Sequence, residues 1–231
     1  MEQNRSLHSL LRIASAQIDI PLHETQIERF MVYLRQLQTW NRSINLTSLV
    51  SDEEIIIKHF VDSLAALKAE ELKNHAALLD IGTGAGFPGI PLRIVREDLD
   101  LTLIEPSQKK ISFLHFIVGL LRLERVRIFC GTFERFLVEE ASKQRFDYIS
   151  TRALKPDVIL RCGRKLLRDG GKTILYLSSP MSTSDIDQGW AMVNEFKFDL
   201  PNNSGRRVVS ILALSQNQIG NVPRRTPSCS S

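Results

Sequence analysis

Three glycines alternate with other residues in one short segment and predict a bend that a ligand can approach closely. Gly82, Gly84 and Gly86 directly follow the apolar run 77–81. Glycine is needed where a chain turns sharply and leaves room for a bound molecule. Glu105 ends the next apolar run, about 20 residues further on, where a carboxylate can accept both hydroxyls of a ribose. The segment therefore predicts a nucleoside pocket.

The same glycines match two ligand-binding patterns. The pattern D-x-G-x-G-x-G, typical of S-adenosylmethionine-dependent methyltransferases, is complete from Asp80. The pattern G-x-G-x-x-G of nicotinamide-dependent enzymes is also complete, from Gly84 to Gly89. Pro88 and Pro91 remove N–H donors that a pyrophosphate would need, whereas a sulfonium cofactor carries no phosphate. The methyltransferase interpretation is favoured, with a dinucleotide enzyme and a simple tight turn as the alternatives.

Four more positions are candidates for the same pocket. Asp80, at the end of its strand, is expected either to fix the glycine loop or to bind the cofactor through water. Phe133 and Glu134 follow the third predicted strand, where they could flank an adenine. Arg152 follows a strand end, where a doubly wound sheet places its ligands, and is the first candidate for the active site. A plain surface arginine is the alternative.

Short apolar runs and stretches with helical spacing alternate along most of the chain. This alternation predicts an α/β protein of the Rossmann-like class I methyltransferase type, with a mostly parallel doubly wound sheet over residues 76–214. A last strand, 207–214, is expected to be an antiparallel edge. The other predicted strands are 77–81, 101–104, 126–129, 146–149 and 173–177, and the predicted helices are 89–96, 109–121 and 157–167. The last of these helices is expected to end on Gly170-Gly171.

Residues 1–75 are predicted to be an N-terminal helical region that packs directly on the sheet domain, since no Gly/Pro-rich linker follows it. A second helix is expected from Ser51, where Ser-Asp-Glu-Glu fits a capping box. The non-periodic segment 40–47 is expected to connect it to the first helix. Residues 215–231 are predicted to be a disordered polar tail. The first helix is indicated by apolar residues at helical spacing: Ile27, Phe30, Met31, Leu34 and Leu37.

The composition is that of an ordinary soluble protein, with 43% hydrophobic and 24% charged residues. The net charge of +4 permits an anionic partner without requiring one. Three cysteines without a C-x-x-C pair predict no metal site and fit a reducing cytoplasm. No secretory signal or membrane span is expected, since the most apolar stretch, 111–123, is short and contains His115 and Arg122.

Four blocks of residues together resemble one family, the bacterial 16S ribosomal RNA guanine-N7 methyltransferases, also called glucose-inhibited division protein B. The glycine loop occurs across many methyltransferases, so the other three blocks carry the specificity. The resemblance covers residues from about 25 to 214. The blocks are W-N-x-x-x-N-L-T from Trp40, K-H-F-x-D-S-L from Lys58, D-x-G-x-G-x-G-F-P-G-I-P from Asp80, and T-R-A from Thr151.

The resemblance implies methyl transfer from S-adenosylmethionine to N7 of one guanine in 16S ribosomal RNA. It also implies that the partner is this RNA or the small ribosomal subunit. We expect no DNA or membrane partner and a monomeric protein. The family's cofactor-contacting positions fall here on Gly82, Phe87, Phe133, Glu134 and Arg152. The chain departs from the family at Ser178-Ser179, where a Lys-Gly pair is typical, so that a basic contact is absent on that rim.

The implied reaction needs few catalytic groups. N7 of guanine carries a lone pair and no proton, so no general base is expected, and Arg152 would act by positioning. Substrate contacts are expected from Trp40, Asn41, Asn45 and His59. Trp40 or Phe87 could stack on a guanine turned out of its stack. The alternatives are a buried core for Trp40, local backbone capping for the two asparagines, and a hydrogen-bonded core position for His59.

Seven basic residues in the first half of the sheet domain could form a phosphate-binding surface if they share a face. Solvated helix faces explain them nearly as well. The residues are Arg93, Arg96, Lys109, Lys110, Arg122, Arg125 and Arg127.

Overall fold

A seven-stranded sheet forms the centre of the protein. The computed structural model describes residues 2–186 and 189–215. The strands lie in the order β3-β2-β1-β4-β5-β7-β6, and all neighbours are parallel except the pairs that involve β7. They are β1 Ala77–Ile81, β2 Asp100–Glu105, β3 Val126–Cys130, β4 Phe146–Thr151, β5 Leu167–Leu177, β6 Trp190–Asp199 and β7 Arg206–Leu214.

The central strands are buried along their whole length, which explains their continuous apolar runs. Every residue of β1 and β4 is buried, as expected for parallel strands that are covered on both faces. Ile81 pairs in register with Ile104 on one side and with Thr151 on the other. The carboxyl ends of β1, β2 and β4 therefore meet at one edge of the sheet, where the strand order reverses direction, and open α/β sheets bind their ligands at this place.

Helices cover both faces of the sheet between these strands. Those predicted after β1 and β2 are confirmed within a residue or two, whereas the helix before β5 ends earlier than expected. There, Cys162 ends the α-helix, a 3₁₀ turn runs over Gly163–Leu166, and Gly170-Gly171 already lie in β5. The helices are α6 Gly89–Val95, α7 Gln108–Leu120, α8 Phe133–Glu140 and α9 Pro156–Cys162, and a second 3₁₀ turn covers Thr183–Asp185.

The N-terminal region is helical and shares one hydrophobic core with the sheet. The long helix α2, Glu24–Ile44, has fully buried side chains in a cluster that also contains Leu103 of β2, and they are Ile27, Phe30, Tyr33 and Leu37. The region thus packs directly on the sheet, as predicted. Its elements are α1 Glu2–Gln17, α2 Glu24–Ile44, α3 Asp52–Ile55, a π-helical turn Ile56–Val61, α4 Asp62–Leu64 and α5 Ala66–Ala69.

Three expectations about these elements are wrong. The segment from Trp40 to Ile44 continues α2, which ends at Asn45 in a left-handed conformation with φ of 49°. Ser51 precedes α3, but its side chain makes no capping hydrogen bond, so the capping box is absent. Strand β7 is antiparallel but is not the edge, because β6 pairs along its outer side. The strand 190–199 was missed since only part of it is buried.

The predicted tail lies almost wholly outside the described residues, which end at Ser215. The amide of Ser215 donates to the carbonyl of Gly189. Within residues 2–186 and 189–215, no helix is both long and apolar enough to cross a membrane.

Candidate active site

The three glycines of the loop after β1 all have left-handed backbone conformations, but they serve two different purposes. Their φ angles are 69° at Gly82, 61° at Gly84 and 104° at Gly86. A Cβ atom added to Gly86 would lie 2.4 Å from Ile90 Cδ1, whereas no protein atom lies within 4 Å of such an atom on Gly84. Gly86 is therefore required for packing inside the protein, and Gly84 borders open space that a ligand can enter.

The carboxylate of Asp80 holds this loop in place through hydrogen bonds. It is fully buried, and Oδ2 accepts hydrogen bonds from the Thr83 hydroxyl at 2.6 Å and from the Gly89 amide at 2.9 Å. Oδ1 accepts from the Ser150 hydroxyl at 3.1 Å. Burial raises the pKa of Asp80 to about 6, although these hydrogen bonds act in the opposite direction. Of the two expected roles, the geometry favours fixing the loop over contact with a cofactor.

Glu105 faces the glycine loop from the neighbouring strand. Its Oε2 accepts from the Gly84 amide and its Oε1 from the Ser107 amide, both at 2.9 Å. The side chain is 5% exposed, so these two amides hold it in one orientation beside the glycine loop. Each oxygen keeps a second lone pair, and a fixed carboxylate with free lone pairs can accept the two hydroxyls of a ribose.

Phe133 and Glu134 begin α8, directly after the strand that pairs with β2. Cys130 is in register with Glu105, and the Gly131 amide donates to the Glu105 carbonyl at 3.1 Å. Phe133 is buried against the core, whereas Glu134 is exposed in the first turn. The backbone of this turn thus begins next to Glu105, on the side away from Arg152.

Arg152 lies in the loop after β4 and is held by side chains of the N-terminal region. Its Nη1 lies 3.2 Å from Asp62 Oδ2 and donates to Ser63 Oγ at 3.4 Å, while Nη2 lies 2.9 Å from His59 Nδ1. The side chain is 19% exposed. Burial raises the pKa of Asp62, and the positive charges of Arg152 and Arg207 oppose this shift. Arg152 is therefore a partly buried, paired guanidinium, unlike a plain surface arginine.

His59 has protein partners at both ring nitrogens. Nδ1 faces Arg152, and Nε2 lies 2.7 Å from the Thr47 hydroxyl. Burial and the positive charge of Arg152 lower the pKa of His59 to about 3. The ring also stacks on Phe87, with centroids 4.4 Å apart and planes 13° from parallel. Both nitrogens are used inside the protein, which fits the core alternative better than a direct substrate contact.

Phe87 is enclosed by aromatic rings. Besides His59, its neighbours are Tyr33, with centroids 5.4 Å apart, and Phe60 at 6.0 Å. Only 6% of the residue is exposed, and the Phe87–Pro88 peptide bond is cis. The ring is therefore not free to stack on a guanine, which differs from the expectation from the sequence.

The other expected substrate residues lie near the end of α2. Trp40 is partly buried against α7, with ring centroids 5.6 Å from Phe113 and 5.2 Å from the partly exposed Phe116. Asn41 binds the backbone of Thr47 twice, which is the local capping alternative. Asn45 is exposed and lines an open cleft of about 480 Å³ together with Asn41 and other residues of this segment.

Two residues that support the site were not predicted from the sequence. Tyr33 donates from its hydroxyl to the carbonyl of Ala85 in the glycine loop, and Thr47 binds His59. A buried tyrosine hydroxyl needs a partner, so the position of Tyr33 within the apolar stripe of α2 was the available signal. Thr47 carried no comparable signal.

Four of the seven basic residues make contacts within the protein. Arg93 donates to the carbonyl of Glu124, Arg96 pairs with Asp98, Arg125 with Asp100, and Arg127 with Glu140. Within the described part of the chain, Lys109, Lys110 and Arg122 have no acidic partner. No cluster of three or more His, Cys, Asp or Glu side chains in that part is arranged to hold a metal.

The strand order, with β7 antiparallel beside β5, and the glycine loop at the end of β1 place the chain among Rossmann-like class I methyltransferases. The family model described as rRNA small subunit methyltransferase G matches residues 26–190. The chain belongs to this family. The resemblance, the fold class and the assignment as a methyltransferase are thereby confirmed.

Relatives of the same name agree with this assignment. The ribosomal RNA small subunit methyltransferase G of Caldanaerobacter subterraneus subsp. tengcongensis is 38% identical over 74% of this chain and 72% of its own length. That of Dictyoglomus thermophilum is 34% identical over 98% of this chain and 95% of its own. The alignment with the Clostridium botulinum protein is shorter and covers 61% of that relative.

Solved structures resemble the chain in fold. TrmN from Thermus thermophilus superposes with a TM-score of 0.56 at 16% identity, over 67% of this chain and 48% of that one. The precorrin-6y C5,15-methyltransferase of Geobacter metallireducens superposes with a TM-score of 0.51 at 12% identity, over 67% of this chain and 87% of that one. At these identities the likeness concerns the fold alone.

Proposed function

We propose that this protein transfers the methyl group of S-adenosylmethionine to N7 of one guanine in 16S ribosomal RNA of the small subunit. The observation that carries the proposal is the pocket edge between Gly84 and Glu105. There a glycine with open space beside it donates to a carboxylate that is fixed on the neighbouring strand. A family match over residues 26–190 supports the RNA substrate.

The residues of the pocket fit the cofactor. Glu105 would accept the ribose hydroxyls, the turn of Phe133 and Glu134 would flank the adenine, and the backbone of Gly82 and Gly84 would border the ligand. Gly86 and Asp80 would act on the loop from inside, and Phe87 and Arg152 would lie on the far side of the pocket. The cofactor supplies an electrophilic methyl group on a positively charged sulfur.

The side chains of the protein then have to bind and orient the purine. N7 attacks with its own lone pair and loses no proton, so no side chain has to act as a general base. The imidazole of His59 is not free to act as a base, because its two nitrogens are bound by Arg152 and Thr47. The guanidinium of Arg152 can donate to an acceptor such as guanine O6 and stabilise charge that moves onto the ring during transfer.

The end of α2 is the proposed RNA-facing side. Asn45 is exposed, Trp40 and Phe116 form a partly exposed aromatic pair, and Arg42, Lys109 and Lys110 have no acidic partner in the described residues. Bases stack on aromatic rings and phosphates bind free cations. On this proposal, residues 1–75 form the RNA-facing side together with Lys109, Lys110 and Phe116 of α7, and residues 76–214 hold the cofactor. A cytoplasmic monomer would suffice, since all these residues belong to one chain.

Methyl transfer can be tested directly with radiolabelled S-adenosylmethionine. Purified protein is mixed with small ribosomal subunits that lack the modification, and the labelled base is identified by mass spectrometry. We expect label on one guanine at N7, and Gly84→Val serves as the inactive control. Label on a protein or a small molecule would defeat the RNA assignment, and binding of cofactor without any transfer would favour a non-catalytic RNA-binding module.

A further inference from the structure

Part of the Arg152 guanidinium is not used by the protein. A guanidinium has five N–H donors. Two of them, on Nη1, face Asp62 and Ser63, and one, on Nη2, faces His59. Within residues 2–186 and 189–215, the N–H of Nε and the second N–H of Nη2 have no hydrogen-bond partner. Nε and Nη2 are neighbouring nitrogens of the planar group, so these two donors are the part of the guanidinium that is left for a ligand.

His59 can accept from Arg152 in only one protonation state. The guanidinium has no lone pair, so Nδ1 of His59 must be the acceptor and cannot carry a proton. The ring proton therefore lies on Nε2, where it is donated to the Thr47 hydroxyl at 2.7 Å. Thr47 is itself placed by its backbone contacts with Asn41 and by the Leu49 amide, which donates to its hydroxyl at 3.1 Å.

The helix around His59 contains an unusual turn at the point where its side chains contact Arg152. His59 lies in the π-helical turn Ile56–Val61, and Asp62 and Ser63 follow directly. A π-helical turn within an α-helix is rare and occurs frequently at functional sites. Here it brings three side chains of one helix to the same guanidinium, while the stacking of His59 on Phe87 fixes the plane of the imidazole.

We propose that His59 is a positioning residue for Arg152. As the neutral Nε2–H tautomer, held by Thr47, it accepts from Nη2 and fixes the guanidinium so that its two unused donors are presented to the ligand. The inference rests on the proposed function, because the ligand of those donors is the cofactor or the guanine. It changes the role of His59 from substrate contact to orientation of Arg152.

The tautomer is tested in the protein without any ligand. A long-range ¹H–¹⁵N spectrum of ¹⁵N-labelled protein should show His59 with a protonated Nε2 and an unprotonated Nδ1. It should also show a distinct Nε–H signal for Arg152 that is retained in His59→Asn and broadened in His59→Gln. A protonated Nδ1 in the wild type would overturn the proposal, whether or not the protein transfers methyl groups.

Two matched variants test the consequence for transfer. The amide oxygen of asparagine stands close to the place of Nδ1 and can still accept from Arg152, whereas the longer glutamine reaches the place of Nε2. We expect His59→Asn to keep the rate constant of transfer close to wild type and His59→Gln to lose about 10- to 100-fold, the effect of one hydrogen bond to a charged group. The unfolding midpoints of the two variants in urea should agree, which separates orientation from a merely structural role.

The outcomes of these experiments distinguish the two proposals. A wild-type protein that methylates the small subunit, with a His59→Gln variant equally active, would overturn the role of His59 and leave the function intact. A wild-type protein without transfer would remove the function, while the ¹⁵N spectrum would still decide how His59 holds Arg152.

Discussion

The hydroxyl of Tyr33, in the middle of α2, donates a hydrogen bond to the backbone carbonyl of Ala85, inside the glycine loop. Both residues are buried, and the ring of Tyr33 stacks on Phe60, Phe87 and Phe113. The N-terminal helical region thus supports the cofactor loop by direct contact. The loop that the sequence predicts as a local motif depends on a residue 52 positions earlier in the chain.

Removal of this hydroxyl should lower both the stability of the protein and its affinity for the cofactor. In Tyr33→Phe the ring stays in place, but the Ala85 carbonyl loses its donor in a buried position, which should lower the free energy of unfolding by about 1–3 kcal/mol. Unfolding in urea measures this loss, and calorimetry with S-adenosylhomocysteine measures the expected fall in affinity. Tyr148→Phe is the control, since its hydroxyl makes only longer contacts of 3.3–3.5 Å far from the loop. An equal loss of affinity in both variants would contradict the bracing role.

Substitutions at two glycines of the loop should have different effects on stability. Gly86→Ala brings a Cβ against Ile90 and the Tyr33 hydroxyl, so overpacking and backbone strain should lower the free energy of unfolding by about 2–5 kcal/mol. Gly84→Ala meets no protein atom and should lose only the strain, about 1–2 kcal/mol.

The larger Gly84→Val variant separates packing from binding. Its side chain points into the space beside the loop, so it should remain folded and lose affinity for S-adenosylhomocysteine in calorimetry. If the valine variant binds as tightly as the wild type, the ligand does not border Gly84.

The glycine loop and Glu105 could be predicted because they depend on short segments. A buried strand, a glycine-rich bend and the end of the next strand follow one another closely, and parallel strands place their carboxyl ends side by side. The contact between Gly84 and Glu105 spans only 21 residues.

The surroundings of Arg152 could not be predicted in the same way. Its partners His59 and Ser63 lie 93 and 89 residues earlier, on a helix whose π-helical turn no periodicity announces. Strand β6 was missed for another reason: at the sheet edge it has partly exposed residues on both faces, so its pattern is irregular. Long-range pairing and partial burial, rather than local propensity, decide both features.

Glu105 should contribute to cofactor affinity as well as to the stability of the loop, since it also accepts from the Gly84 and Ser107 amides. Glu105→Ala removes two charge-assisted acceptors for the ribose, and we expect affinity for S-adenosylhomocysteine to fall about 10- to 100-fold by calorimetry. Glu124→Ala is the matched control, because its side chain is exposed and only its backbone carbonyl is used by the protein. An unchanged affinity in Glu105→Ala would move the ribose away from this carboxylate.

Asp80 should make the protein less stable as the pH rises. Its pKa is raised to about 6 in the folded protein from 3.8, so the folded state binds the proton more tightly. The resulting stabilisation is fully present below pH 3.8 and is lost as the pH rises through 6, a change of about 3 kcal/mol. Asp80→Asn does not titrate, so the difference in unfolding free energy between wild type and variant should fall between pH 4 and about 6.5. A difference that is constant over this range would contradict the raised pKa.

His59 should have the opposite effect on the acid side. Its pKa is lowered to about 3 in the folded protein from 6.5, because burial and Arg152 disfavour the charged ring. Its contribution is fully present above pH 6.5 and is lost as the pH falls toward 3. Relative to His59→Asn, the wild type should therefore lose about 2 kcal/mol of unfolding free energy between pH 6.5 and 5. Urea unfolding of both proteins across this range measures the difference. If the two curves run parallel, His59 is protonated as readily in the folded protein as in the unfolded chain, and the buried contact with Arg152 is absent in solution.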